Sequence, residues 1–366
     1  MNSGDSLPPR SQWGSSADEP SAQAGFDTSD HNHGAEIAGK HGSLADELYR
    51  KGYHPVMLFG TRAAGKSSLL ASLFHYLHSD PESPAIAVRG EWIISTESSY
   101  GQSVADSASR FLNHVMNDFH DGIAAPMTQE EHPFYIPIIL RPNNGQPEVK
   151  LAFLESRGEW YAIKRDSKDL YPELRNEVAE VYRNFPNALS ILLIAPYVIG
   201  DAYSEQSSSE WAHNEMRDSD TSLFGALQAY QLARQRREFD KFLFVLTKWD
   251  AHTSIVEKEF VNPPRGMVAY LISQRFPKSW TLFQTMQTGD AQSMQYSAGI
   301  MSGDARVETP KHLQPIMNRF PQMLWRWLYS NCTGGEELFV IRNTSSKSSG
   351  TMPKLGIGAL LRKLLG

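Results

Sequence analysis

A short loop of small residues does most to restrict the folds open to this chain. Residues 60–67 read Gly-Thr-Arg-Ala-Ala-Gly-Lys-Ser, and they join the apolar run 56–59 to a helix-forming segment that starts near Lys66. Glycine at positions 60 and 65 lets the backbone curl so that successive N–H groups point inward and form a site for an anion. The positive end of the helix dipole adds to that attraction. A strand, this loop and a helix in that order predict binding of the phosphates of a nucleoside triphosphate.

Two side chains of this loop have separate expected roles. Lys66 would reach the β- and γ-phosphates as a point charge, and the Ser67 hydroxyl would bind Mg²⁺. The remaining nucleotide contacts of the loop are expected from Gly60, Arg62, Ala63, Ala64, Gly65 and Ser68. The competing interpretation is an ordinary strand, turn and helix in which a lysine opens the helix.

Bulk composition narrows the class of protein. The 366 residues are 40% hydrophobic, which is enough to bury a large core, and the net charge of −6 gives no electrostatic reason to expect nucleic acid as a partner. A single cysteine, Cys332, excludes an internal disulfide framework and fits a reducing compartment. The first 30 residues contain no apolar signal segment, and the longest apolar stretch, 188–200, is shorter than the roughly 20 residues that cross a bilayer. We therefore expect a soluble cytoplasmic protein.

The chain divides into a tail and one large domain. Residues 1–42 are mostly small and polar, so we predict a flexible tail, in which His31 and His33 are solvated because no other ligands stand at metal-binding spacing. From 43 to 331, apolar strands alternate with helical segments, which is typical of a layered α/β domain. The predicted strands lie near 56–60, 134–140, 149–155, 189–195, 241–247 and 293–297.

Helical spacing and turn residues predict the connections. Two apolar stripes indicate core-facing helices, and their members are Val104, Ala108, Phe111, Leu112, Val115, Met116 and Phe119, then Leu170, Leu174, Val178, Val181 and Phe185. The pair Asn144-Gly145 within 141–148 is a strong hairpin signal, so the strands on either side should be antiparallel neighbours. We expect the segment 78–127 to be an insertion that carries an extra helix at about 102–119. The polar stretches 200–220 and 251–290 are expected to be insertions or long surface loops.

Three further motifs follow the later strands. The strand 149–155 ends in Glu155, and Gly158 follows three positions on. The strand 241–247 leads into Thr247-Lys248-Trp249-Asp250, and the last short strand leads into Ser297-Ala298-Gly299. A carboxylate at a strand end beside a phosphate loop suits a water bound to Mg²⁺, and a nearby glycine lets a backbone N–H approach the γ-phosphate.

In this order the four motifs resemble the G1, G3, G4 and G5 boxes of P-loop GTPases of the translation-factor, Ras and dynamin-like class. The resemblance covers about 54–330 through short motifs alone. It implies a three-layer, doubly wound sheet that is mostly parallel, with one antiparallel strand from the 134–155 hairpin, and it implies GTP or GDP with Mg²⁺ as ligands. Thr247 stands where asparagine is commoner, a replacement that dynamin-like members also carry.

The same resemblance assigns the base contacts. Asp250 would accept hydrogen bonds from guanine N1–H and from its exocyclic amine, a pattern that adenine does not offer. Lys248 would lay its aliphatic stem over the base, and the Ala298 backbone N–H would meet guanine O6. Thr247 and Ser297 complete the expected base site, and for Trp249 we expect packing or partial exposure.

The resemblance also assigns hydrolysis, with two departures from the pattern. Thr128 would be the switch threonine on Mg²⁺ and the γ-phosphate, with Thr96 as a second candidate. Glu155 replaces the usual aspartate near Mg²⁺, and Glu159 stands where a glutamine orders the attacking water, so we expect slow turnover that a partner relieves. Arg157 or Arg62 would supply a cation to the transferred phosphate, or either would be a plain surface arginine.

The C-terminal region is expected to hold a last domain helix and then a tail. Residues 309–331 suit that helix, and 332–366 a linker with a short amphipathic helix at 355–366. Its apolar face and basic flanks suit docking on a partner or on the domain itself more than peripheral membrane contact. A regulatory protein or a homodimer is a further expected partner.

Three functions remain open at this stage. The first is a Mg²⁺-dependent GTPase that acts as a molecular switch. The second is a nucleotide-binding scaffold with little hydrolysis, which Glu155 and Glu159 favour. The third is a P-loop ATPase or small-molecule kinase in which the Thr247–Asp250 motif arose by chance.

Overall fold

The computed structural model describes residues 43–61, 63–80, 83–97, 99–120, 134–155, 176–198, 210–251, 263–287, 291–299, 319–335 and 338. Within these ranges the helices are α1 Leu44–Arg50, α2 Lys66–Ser79, α3 Ser99–His120, α4 Asn176–Asn184, α5 Glu210–Ala233, α6 Met267–Arg275, α7 Pro277–Met286 and α8 Arg319–Thr333. The strands are β1 His54–Phe59, β2 Ala85–Arg89, β3 Phe134–Pro142, β4 Val149–Glu155, β5 Ser190–Pro196, β6 Lys241–Thr247 and β7 Ser293–Gln295. Single 3₁₀ turns span Arg237–Phe239 and Trp249–Ala251.

The seven strands form one sheet in the order β2-β3-β4-β1-β5-β6-β7. β1 lies near the middle and pairs in parallel with β4 on one side and β5 on the other. β5 pairs in parallel with β6, and β6 with β7. β3 runs antiparallel to both of its neighbours, β2 and β4. After β1 the chain crosses to the sheet edge at β2 and returns through β3 to β4 beside β1, and it then continues outward on the other side through β5, β6 and β7. Strands are thus added on both sides of β1, so the sheet is doubly wound.

Helices cover both faces of the sheet and make three layers. Phe59, Leu193 and Phe244 are aligned across β1, β5 and β6, so they share one face. On that face Phe59 packs on Tyr182 of α4. Phe244 packs on Phe276, which lies between α6 and α7, and on Trp280 and Phe283 of α7. Phe153 lies on the opposite face against α2 and α8. The apolar runs of the central strands are buried on both sides, as this layering requires.

A buried ion pair joins the helical layer to the amino-terminal edge of the sheet. Arg234 and Asp240 pair at 2.8 Å with side chains that are almost fully inaccessible. The guanidinium also donates to the carbonyls of Phe185 and Asn187, and Asp240 accepts from the backbone N–H of Leu189. Since both charges are hydrogen-bonded on several sides, removing either partner would leave an uncompensated buried charge.

The predicted fold class is confirmed by this sheet. All six predicted strands are present within two residues of their expected bounds, and β3 is the one antiparallel strand. The extra helix at about 102–119 is present as α3. Gly145 adopts a positive φ of 79° in the turn between β3 and β4, as the hairpin signal indicated.

Of the two alternatives expected for the polar stretches, long surface loops do not apply to the parts that the structure describes. Residues 210–220 are the first part of α5, and 267–286 form α6 and α7, so these portions of the polar stretches are helices and not surface loops. Neither β2 nor α1 was predicted from the sequence. Of the second predicted stripe, Leu170 and Leu174 lie outside the described residues, and Val178 and Val181 belong to α4.

Other expectations lie outside the described residues. These are the tail 1–42, most of the C-terminal segment 332–366, and the first part of the last helix, which is described from Arg319 onward. Among the helices within the described ranges, none has both the length and the apolar character needed to cross a bilayer.

Candidate nucleotide-binding site

The predicted site residues gather at one edge of the sheet. β1, β4, β5, β6 and β7 are mutually parallel, so their carboxyl ends meet at the same edge. The loop 60–65 follows β1, Glu155 ends β4, the segment 247–250 follows β6, and Ser297 follows β7. In open α/β sheets a ligand binds in the crevice outside these strand ends, where the strand order reverses, and here that reversal occurs at β1.

The loop after β1 has the backbone of an anion site. Ala63 and Gly65 take positive φ values of 57° and 89°, and Gly65 is the N-cap of α2. No side chain caps this helix end, so its first N–H groups are oriented towards the loop, where a phosphate oxygen could accept from them. Left-handed conformations alternating with helical ones turn consecutive N–H groups to the same side.

Gly60 is required by a close approach of the backbone. A Cβ atom at this position would lie 2.8 Å from the carbonyl oxygen of Ile194 in β5, and the neighbouring backbone cannot yield easily. The strand-to-loop exit therefore depends on glycine for space, whereas Gly65 is needed for its positive φ.

Lys66 is held against its own loop. Its side chain is buried, and its ammonium donates to the Gly60 carbonyl at 2.9 Å and reaches the Thr61 carbonyl at 3.5 Å. Ser67 and Ser68 follow in the first turn of α2 and are half-buried. An ammonium at the first position of the helix adds a full positive charge to the dipole and the N–H groups.

Thr247 connects the end of β6 to the phosphate loop. Its hydroxyl lies 2.5 Å from the Ala64 carbonyl and 3.1 Å from the Ala195 carbonyl, and its side chain is buried. The sequence placed Thr247 in the base site, and the structure assigns its hydroxyl to the loop backbone. The segment after β6 and the loop after β1 are thus joined by a side chain.

Asp250 and Ser297 come together from different strands. Asp250 is buried at 5% exposure, and one of its carboxylate oxygens accepts from the Ser297 hydroxyl at 2.8 Å. The same hydroxyl lies 3.1 Å from the carbonyl of Gly299. This contact brings together two motifs that are 47 residues apart in the sequence, as the resemblance implied.

The segment around Trp249 is fixed by packing. Lys248 has a positive φ of 54°, and Trp249 is fully buried, which confirms its expected packing role. The Trp249 N–H donates to the Tyr296 carbonyl at 3.1 Å, one residue before Ser297. The segments after β6 and β7 are therefore bound to each other through backbone as well as side chains.

Aromatic residues that the sequence interpretation missed support this arrangement. Tyr197 follows β5, donates its N–H to the Thr247 carbonyl at 2.8 Å and packs edge-on against Trp249. The Arg275 guanidinium lies 4.1 Å from the Tyr197 ring centre. Tyr296 is buried with its hydroxyl against Ser72 of α2, and burial raises the pKa of that hydroxyl. The only available signal was the position of each tyrosine at a strand end.

A second unpredicted contact anchors the start of the loop. The buried Thr61 hydroxyl donates to the Ser219 hydroxyl of α5 at 3.2 Å. Since Ser219 belongs to a stretch that we expected to be an insertion or a surface loop, no local pattern indicated this contact.

Several predicted site residues lie outside the described part of the chain. They are Arg62, Thr128, Arg157, Gly158 and Glu159. Glu155 is placed at the end of β4, although its side chain is not described, and Thr96 is exposed in the turn before α3. Ala298 is partly buried beside Ser297. In the described ranges no three histidine, cysteine or carboxylate side chains gather as a metal cluster.

Comparisons with known proteins add a weak structural likeness. No family profile and no curated protein sequence matches this chain. It is similar to the signal recognition particle receptor SRb-GTP/SRX complex from Chaetomium thermophilum, at 15% identity and a TM-score of 0.38, over 75% of this chain and 97% of the other. It is also similar to the S. cerevisiae Ski7 GTPase-like domain bound to GTP, at 12% identity and a TM-score of 0.34, over 77% and 51% of the two chains. At these scores the likeness carries no argument about function. The function proposed below depends on the site alone.

Proposed function

We propose that this chain is a Mg²⁺-dependent GTP-binding protein that hydrolyses GTP to GDP and phosphate and acts as a molecular switch. The observation that carries the proposal is a connected site: the phosphate loop is joined through Thr247 to β6, and the buried Asp250 is held by Ser297. A nucleotide that binds both the loop and Asp250 needs these two groups at a fixed distance and orientation.

Guanine recognition is proposed for Asp250. A carboxylate accepts hydrogen bonds only, and guanine offers two donors side by side, at N1 and at the exocyclic amine. Adenine presents an acceptor at N1 and no amine at C2, so it would leave a buried carboxylate unpaired. Lys248, at the half-buried turn before Trp249, would cover the base plane, and the backbone of Ala298 would meet O6.

Phosphate and metal binding are proposed for the loop and the strand ends beside it. The N–H groups of 63–67 and the Lys66 ammonium would hold the phosphates. Mg²⁺ prefers oxygen ligands, and the hydroxyl of Ser67 together with the carboxylate of Glu155 fits that preference. When bound, the ion would neutralise charge between the β- and γ-phosphates.

Hydrolysis is proposed to be slow without a partner. Glu159 would stand near the attacking water, where its negative charge also repels the γ-phosphate. Thr128 would contact Mg²⁺ and the γ-phosphate, and Arg157 or Arg62 would supply the cation that stabilises charge in the transition state. Single-turnover hydrolysis with Arg157→Ala and Arg62→Ala tests the last role, and unchanged rates in both variants would remove these arginines from the mechanism.

A second candidate function is a nucleotide-binding scaffold that does not turn over. The carboxylates at 155 and 159, where the resembled class has other residues, favour it. Both candidate functions require a guanine nucleotide. The switch releases phosphate from GTP, and the scaffold does not.

The nucleotide itself provides the first test. The protein is purified, denatured with acid, and the released nucleotide is separated by ion-exchange chromatography. GTP or GDP supports both candidates, whereas ATP or ADP would favour an ATPase or a kinase. Steady-state phosphate release then separates the two, with Lys66→Ala as the inactive variant and the exposed Lys241→Ala as its matched control. Turnover that Lys66→Ala abolishes and Lys241→Ala preserves supports the switch, and no turnover in the wild type supports the scaffold.

A further inference from the structure

A cavity beside β7 is separate from the residues assigned to nucleotide. Its volume is about 470 Å³, and it lies between the start of α6 and one face of α8. Ser293 and Gln295 of β7, at the end of the sheet, form its wall. None of its described lining residues belongs to the phosphate loop or to the 247–250 segment. The volume falls in the range of about 300–1,000 Å³ that is typical of ligand sites.

The α8 side of the cavity is one continuous helical face. Arg319, Gln322, Met323 and Arg326 line it, and their spacing of three, one and three residues places them in a single stripe. Arg265 approaches from the turn before α6. Arg265 and Arg319 are exposed, and Arg326 is half-buried.

The charge of the cavity is opposite to that of the chain. Three arginines line it, and no aspartate or glutamate is present among its described lining residues, whereas the whole chain has a net charge of −6. Guanidinium groups bind carboxylates through paired N–H donors, a geometry that ammonium groups do not offer. Pro263, Pro264 and Val268 add apolar surface between the charges.

We propose that this cavity, lined by 263–269, β7 and the first two turns of α8, binds an acidic peptide segment of a partner protein. The combination of cations and apolar side chains matches glutamate and aspartate alternating with aliphatic residues. A single phosphate would fill a small part of the volume. Single-stranded nucleic acid is commonly bound by aromatic side chains that stack on its bases, and no aromatic side chain is among the described lining residues. The proposal does not depend on which nucleotide the chain binds.

The test measures peptide binding directly. A fluorescein-labelled octapeptide of four Glu-Val repeats is titrated with the full chain and followed by fluorescence anisotropy, with the Gln-Val octapeptide as the neutral control. Arg265→Gln/Arg319→Gln changes the two exposed cavity arginines, and Arg183→Gln/Arg217→Gln changes two exposed arginines elsewhere. Each double variant removes two charges, so general electrostatic effects are matched. Circular dichroism checks that both fold.

We expect saturable binding of the Glu-Val peptide, at least tenfold weaker binding of the Gln-Val peptide, and a loss of at least tenfold in Arg265→Gln/Arg319→Gln alone. Binding should also weaken at 0.5 M NaCl because the charges are screened. Equal binding of the two peptides, or equal losses in the two double variants, would overturn the proposal. Tighter binding of a single-stranded RNA oligomer to the same arginines would also overturn it, in favour of nucleic acid.

A second measurement uses the unaltered chain. A benzophenone group replaces one valine near the centre of the acidic peptide, and irradiated samples are digested and mapped by mass spectrometry. Adducts at 263–269 or 319–326 support the cavity as the binding site. Adducts confined to other segments contradict it, whatever the folding of the variants.

Discussion

The Ser297 hydroxyl donates to the Asp250 carboxylate at 2.8 Å, and both side chains are buried at the carboxyl ends of neighbouring strands. A carboxylate at this depth needs hydrogen bonds to remain charged and oriented. Ser297 donates to one of the two carboxylate oxygens from the side, which fixes the orientation of the group. This contact joins two short motifs that are far apart in the sequence.

Removing this hydroxyl should weaken base binding. We expect Ser297→Ala to lower GDP affinity by about tenfold, since a hydrogen bond to a charged group contributes about 1.5–3 kcal/mol. Isothermal calorimetry with GDP measures the change. The control is Ser273→Ala, where the hydroxyl lost donates to Tyr270 within α6, and its affinity should equal that of the wild type. Equal affinities in all three proteins would show that Ser297 does not position Asp250.

Replacing the Thr247 hydroxyl should separate the phosphate loop from β6. Thr247→Val keeps the shape and removes the donor to the Ala64 and Ala195 carbonyls, so we expect a loss of about 1–3 kcal/mol in the free energy of unfolding and weaker nucleotide binding. Thr247→Ser retains the donor and should recover most of both. Urea unfolding and calorimetry give the two quantities. A serine variant as impaired as the valine variant would mean that packing, and not the hydroxyl, matters here.

The positive φ of Gly65 should be needed for nucleotide binding as well as for stability. Gly65→Ala and Gly145→Ala place a Cβ at φ values of 89° and 79°, with ordinary contacts at the first and open space at the second. Each should destabilise the fold by about 1–2 kcal/mol. Nucleotide affinity should fall only in Gly65→Ala, because only that strain turns the N–H groups of the phosphate loop. A similar fall in Gly145→Ala would contradict this assignment.

Stability should decrease in mild acid because of His54. Burial lowers the pKa of this imidazole to about 4, and its Nε2 lies 2.9 Å from the Ser190 hydroxyl. Between that value and the unfolded value near 6.5, the unfolded chain binds more protons, so the free energy of unfolding falls as pH falls. The contribution from pH 7 to pH 5 is about 2 kcal/mol. Urea unfolding of the wild type and of His54→Gln at both pH values isolates the contribution of His54. Parallel pH profiles of the two proteins would contradict the prediction.

The elements that could be predicted from the sequence are those whose signal is local. β5 and β6 are continuous apolar runs with every residue after the first buried, and the hairpin after β3 is set by Asn144-Gly145. β2 was missed because it has only five residues and lies at the sheet edge, where Ile86 is 44% exposed. Short, half-exposed strands form through their partner, here β3, and their own sequence carries little pattern.

The helices in the stretches that were expected to be insertions or long surface loops are stabilised by distant contacts. The Asp220 carboxylate in α5 accepts from the backbone N–H groups of Lys278 and Ser279 and so caps α7 from 58 and 59 residues away. Pro277 opens that helix directly after α6 ends, so the polar stretch contains two helices with no loop signal between them. No local pattern predicts a cap of this kind.

The candidate site also has parts with a local sequence signal and parts that depend on distant contacts. Its loop and strand-end residues were predictable from motifs, because each motif adjoins a strong strand. The Thr247 contact with Ala64 and the Tyr197–Trp249 packing were not, since they depend on which strands become neighbours in the sheet. Motif spacing predicts the order of the parts, and strand pairing determines their contacts.

Asp250 is proposed to bind the guanine edge, and Asp250→Asn is the variant that tests this role. An asparagine amide accepts from N1–H and donates to a carbonyl at C2, which is the pattern of xanthine and not of guanine. We predict that calorimetry will show tight GTP and weak ATP and XTP binding to the wild type, and a preference for XTP over GTP in Asp250→Asn. Equal binding of GTP and ATP by the wild type, or an unchanged order of the three nucleotides in the variant, would contradict the account.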